Sequence, residues 1–124
     1  MSKYKNIALL SDQVLLSEHP DPRYGKYHVM GVCESCEAEK KYRIVIKRNM
    51  SNKEKVATLF HEIAELILQW NEEKGRDKEK DICDAAAQVM IVALAKYPAA
   101  LVGVMEFISE EISSRGGNTK KKKK

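Results

Sequence analysis

The chain has 124 residues, 44% of them apolar and 32% charged, the size and composition of one folded domain rather than two, or of a disordered chain. The formal charge of +4 rests on five lysines, Lys120 to Lys124; without them the remainder carries −1. A nearly neutral body has no basic stripe with interleaved aromatics, so specific nucleic-acid binding is not expected, and only the lysine run has the charge to hold phosphate non-specifically.

In chain order, Ile7 to Leu10 is the first apolar run, and Ser11-Asp12 ends it before it reaches the length of a signal-peptide core. Val14 to Leu16 follows, so the pair reads as a hairpin or as a short helix and a strand. His19-Pro20-Asp21-Pro22 interrupts any regular element, because each proline removes a donor and restricts its predecessor; a loop therefore runs to about Gly25. Tyr27 to Cys33 and Tyr42 to Lys47 are strands, the second alternating Tyr42, Ile44 and Ile46 against Arg43, Val45 and Lys47. The charged segment Glu34 to Lys41 is the loop of the hairpin that joins them. Cys33 and Cys36 have the spacing of half a structural zinc site, but no second pair exists, and two free thiols is the simpler reading. Three cysteines in all argue against a disulfide framework and suit a reducing cytoplasm.

Ser51 and Glu54 form a capping box that starts the first helix. Val56, Leu59, Phe60, Ile63, Leu66, Ile67 and Trp70 then recur at spacings of three and four and define its buried face. A second helix, about Lys78 to Tyr97, is apolar on most sides and crossed by one polar stripe of Asp77, Asp81, Asp84 and Gln88. Its apolar stretch Ala85 to Ala95 contains Gln88 and is far shorter than the roughly 20 residues that span a bilayer, so no membrane association is expected. Pro98 ends this helix and opens a third, with an apolar face of Leu101, Val102, Met105, Ile108 and Ile112, which stops at Gly116-Gly117. The expected fold is α+β, a small antiparallel sheet packed on two to three helices. Residues 1–116 form a single domain and residues 117–124 a disordered lysine tail.

The segment TLFHEIAELILQW, Thr58 to Trp70, carries the candidate chemistry. His61 and Glu65 are one helical turn apart on one face, so they can hold one metal ion between them, with Glu62 beside it as a base. At 100° per residue they lie about 140° and 180° from Val56, off the buried face. By periodicity alone the same three residues are also an ordinary solvated helix face.

The strand with Gly31-x-Cys33, the strand YRIVIKR, the helix TLFHEIAELI and the segment ALAKYPAAL, in this order, resemble small phage proteins of the zincin-like, ImmA/IrrE-like metallopeptidase group. The resemblance covers roughly Tyr4 to Phe107. It implies that His61 is the first zinc ligand and Glu62 the catalytic base, and that an acidic residue of the following helix is the third ligand, Asp84 before Asp81. Glu65 stands where the group has its second histidine. A carboxylate binds zinc at about 2.0–2.2 Å, but an anion in place of imidazole lowers the charge that acidifies bound water. The resemblance thus implies a degenerate metallopeptidase-fold protein of the host-cell cytoplasm that binds a host or phage protein. Zinc or another divalent metal would sit at His61, Glu65 and Asp84, or none if the site is degenerate. The alternative is an active metal-dependent peptidase using Glu62 as general base on a peptide substrate.

Overall fold

The computed structural model describes residues 3–35, 42–73, 75 and 79–123. Strands β1 (Lys5–Ser11) and β2 (Val14–His19) form a hairpin, which decides between the two readings of this segment. A small ribbon, β3 (Arg23–Tyr24) and β4 (Tyr27–His28), turns at Gly25, whose φ of +61° favours a residue without a side chain. Strands β5 (Gly31–Ser35) and β6 (Tyr42–Lys47) pair antiparallel as expected, while residues 36–41 of their loop, Cys36 among them, lie outside the described residues. The expected single strand from Tyr27 to Cys33 is thus split, with Tyr27–His28 turned back onto β3.

The main sheet has the order β1-β2-β6-β5 and is mixed rather than wholly antiparallel, because β2 and β6 run parallel. Parallel neighbours need a long crossover, and the ribbon with β5 supplies it. Val14 to Glu18 are all buried, as befits an inner strand covered on both faces.

Helix α1 (Asn52–Glu73) starts at the capping box. The Glu54 N–H donates to Ser51 Oγ and the Ser51 N–H to Glu54 Oε1, both at 3.2 Å. Val56, Leu59, Ile63, Leu66 and Ile67 are buried against Leu16, Ile44 and Ile46 of the sheet, with Phe60 and Trp70 half-buried at the margin. Each such aliphatic side chain contributes about 1.5–3 kcal/mol on full burial. Gly75, at φ +72°, follows the helix end.

Helix α2 (Glu79–Lys96) buries only Val89 and Ala93, so it packs on one side rather than on several. Helix α3 (Pro98–Lys123) begins at Pro98 as expected, but differs from the sequence reading in two ways. It runs through Gly116-Gly117, and the expected disordered tail continues as helical backbone to Lys123, with Lys124 outside the described residues. Glycine inside a helix costs only about 1 kcal/mol relative to alanine, and the left-handed glycines that end elements here are Gly25 and Gly75.

The second difference is the packed face of α3. Leu101, Val102, Met105, Ile108 and Ile112 are exposed, and Ala100 and Gly103 are buried instead. A Cβ on Gly103 would lie 2.4 Å from the Asn52 carbonyl oxygen and 2.8 Å from Val56 Cγ1. The helices therefore cross so closely that only the small-residue side of α3 fits against α1. No single helix among the described residues is long and apolar enough to cross a membrane.

Candidate functional site

His61 and Glu65 sit one turn apart on the solvent side of α1, with His61 Nε2 2.7 Å from Glu65 Oε1. Their side chains are 66% and 59% exposed, so the pair by itself contributes little to stability. Glu62 is different, at 7% exposure. It lies where β5 crosses α1, and Gly31 makes that crossing possible. A Cβ at Gly31 would be 2.3 Å from Thr58 Cγ2 and 3.3 Å from Glu62 Cγ, so the strand rests directly on this stretch of helix.

Burial pushes the Glu62 carboxyl above the usual carboxylate range, the charge of Glu65 adds to the rise, and His61 opposes it. Among the described residues nothing donates a hydrogen bond to Glu62. Its neighbour across the crossing is Cys33, on the same face of β5 as Gly31. Burial, and then the charges of Glu62, Glu34 and Glu65, raise this thiol to about 11, so it is a neutral thiol at physiological pH.

Glu62, Glu65, Gly31, Cys33, Tyr24 and Gln69 line a groove of about 420 Å³ between β5 and α1. It runs along β5, an end strand of the four-stranded sheet. The Met30 carbonyl accepts from the Lys47 N–H at 2.8 Å, which makes Met30 and Lys47 a hydrogen-bonded pair. By the alternation of an antiparallel ladder, Val32 and Glu34 also bond inward to β6, and the main-chain groups of Gly31, Cys33 and Ser35 point outward along the open edge.

His61, Glu62 and Glu65 bring one donor atom each within 4.8 Å of one another, and are the one such group among the described residues. An imidazole and two carboxylates are a donor set suited to zinc or another divalent ion. The expected third ligand is not part of it: Asp84 is exposed on α2, as is Asp81. Asp84 lies about 140° and 180° around the helix from Val89 and Ala93, the residues by which α2 enters the core, and so faces away from it. Buried Glu62, read from the sequence as the base, takes the third place in the cluster.

The remaining metal-ligating side chains are scattered. His28 Nδ1 lies 2.8 Å from Asp21 Oδ1 in the exposed ribbon, and His28 first, then Arg23, holds the Asp21 carboxyl below its ordinary value. His19 Nδ1 accepts from the Asp21 N–H at 2.9 Å. Cys83 is exposed on α2, and no described cysteine joins a metal-capable group. Sequence reading missed Gly31, Cys33, Tyr24 and Gln69 as parts of one groove. The available signal was a glycine at the start of an apolar strand, a mark of close backbone approach.

Comparisons with protein-family models, with curated proteins and with solved structures gave no match.

Proposed function

We propose that this is a zincin-like phage protein with a degenerate metallopeptidase site, which acts in the host-cell cytoplasm by binding an extended segment of a host or phage protein in the groove between β5 and α1. The observation that carries this reading is the seating of β5 on α1 at Gly31. It leaves a strand edge with outward main-chain donors and acceptors beside a groove that also presents carboxylates. An extended segment added to such an edge gains main-chain hydrogen bonds along β5, and the groove selects its side chains.

Binding is favoured over hydrolysis by the chemistry of the donor set. A divalent cation held by His61, Glu62 and Glu65 would supply a Lewis acid beside the groove. Holding it engages Glu62, the carboxylate that hydrolysis needs free as a base. The second reading, a metal-dependent peptidase with Glu62 as general base, is supported by the raised affinity of that buried carboxyl for a proton.

Panning a library of extended peptides on the full chain, with and without chelator, tests both readings. Gln69→Trp, which fills the groove from an exposed position, should abolish enrichment while leaving the fold intact by circular dichroism. Enrichment by the wild type without cleavage supports binding. Chelator-sensitive cleavage lost in Glu62→Gln supports the peptidase. Neither enrichment nor cleavage would overturn both.

A further inference from the structure

Two carboxylates, Glu62 and Glu65, line the groove between β5 and α1, and among the described residues no basic side chain does. Glu62 is the unusual one. A glutamate only 7% exposed ordinarily has a partner, yet no described residue donates a hydrogen bond to this one, and it borders the groove rather than the sealed core. A Glu62 oxygen, a Glu65 oxygen and a His61 ring nitrogen lie within 4.8 Å of one another. His61 Nε2 takes Glu65 Oε1 at 2.7 Å, and Oε2 has no partner among the described residues. Two carboxylate oxygens this close can both lie about 2.8 Å from a single nitrogen, so one ammonium or guanidinium group can bridge the two side chains.

Resting on the binding reading above, we infer that the segment laid along β5 carries a lysine or arginine whose cationic head enters the groove and bridges Glu62 and Glu65. The strand sets which of its residues can do so. Gly31 faces Thr58 and Glu62, and Cys33, two residues on, shares that face of the strand. Glu34, on the alternate face, borders a separate hollow with Tyr4 and His19. Side chains directly opposite one another on adjacent strands point to the same face, so the residues of the added segment beside Gly31 and Cys33 are turned toward α1 and those between them are not. Gly31 and Cys33 also turn their main-chain groups to the open edge, so the hydrogen-bonding register and the side-chain face agree. Charge then selects the side chain. An apolar one would cut Glu62 off from water with nothing in exchange, and an acidic one would add a third like charge. A cation supplies the donor that Glu62 lacks, and salt screens a pair at a buried carboxylate less than one at the surface. A divalent ion held by the same residues would compete with it, so the two are alternative occupants of one site.

Panning a library of random heptapeptides on the full chain tests this, in a buffer with chelator so that metal does not occupy the carboxylates. Enriched peptides should carry a lysine or arginine within an alternating, strand-forming sequence. Replacing that residue by norleucine, which keeps a straight stem and removes the charge, should weaken binding to the wild type at least ~10-fold. On Glu62→Gln with Glu65→Gln the basic peptide and its norleucine form should bind alike, because the charges act on each other. Glu65 is exposed, so Glu65→Gln alone should keep the circular dichroism spectrum while reducing the preference for the basic peptide. Enriched peptides without a basic residue, or a norleucine penalty as large on the variants as on the wild type, overturn this inference and leave the binding reading standing. No enrichment of any peptide overturns both.

Discussion

Lys55 Nζ lies 3.0 Å from Oε2 of Glu18, and Tyr97 donates its hydroxyl proton to the same oxygen. Glu18 is 5% exposed, so one buried carboxylate ties β2 to the first turns of α1 and to the junction of α2 and α3. Burial and the adjacent Glu18 push the Tyr97 hydroxyl far above its ordinary value, so it remains a donor. Removing the cation leaves a buried, uncompensated charge, and Lys55→Met should cost about 3–5 kcal/mol. Tyr97→Phe removes one hydrogen bond and should cost about 1–3 kcal/mol. Urea unfolding at pH 7 checks both; losses below about 0.5 kcal/mol would mean that water reaches Glu18.

The groove carboxylate gives a stability prediction of opposite sign. The Glu62 carboxyl is raised in the fold, so the native chain binds a proton more readily than the unfolded one. Its contribution therefore falls as pH rises from the unfolded carboxyl value through the raised folded one. Above that window the full cost of a buried carboxylate is present. Glu62→Gln should accordingly stabilise the protein at pH 7, by about 0.5–2 kcal/mol, and the gain should vanish in acid below the window. Thermal unfolding of both proteins across this range would show it. A variant that melts lower than the wild type at pH 7 would show that Glu62 is held by a partner rather than strained by burial.

The crossing of β5 over α1 can be tested by volume. Gly31→Ala places a methyl 2.3 Å from Thr58 Cγ2, so the strand must shift, at a cost of about 1–3 kcal/mol. Thr58→Ser deletes that methyl. The double variant should recover most of the loss, a coupling that residues not in contact do not show. Additive effects in denaturant titrations would place β5 elsewhere on the helix.

Local chemistry carried much of this protein into its sequence. The capping box at Ser51 and Glu54 fixed the start of α1 within three residues, and the spacing of Val56, Leu59, Ile63 and Ile67 fixed its buried face. Both need only neighbours along one helix. The one-turn spacing of His61 and Glu65 likewise placed them together on the solvent side without knowledge of anything else in the chain. Tertiary structure alone decided the rest, because burial depends on which element arrives opposite. Glu62 is buried because Gly31, distant in sequence, lets β5 descend on it, and Asp84 is outside the cluster because α2 meets the core through Val89 and Ala93. The apolar side of α3 gave the wrong packed face for the same reason. Periodicity shows that a helix has two sides, but close approach at Gly103 selected the side of small residues and left the large ones facing outward.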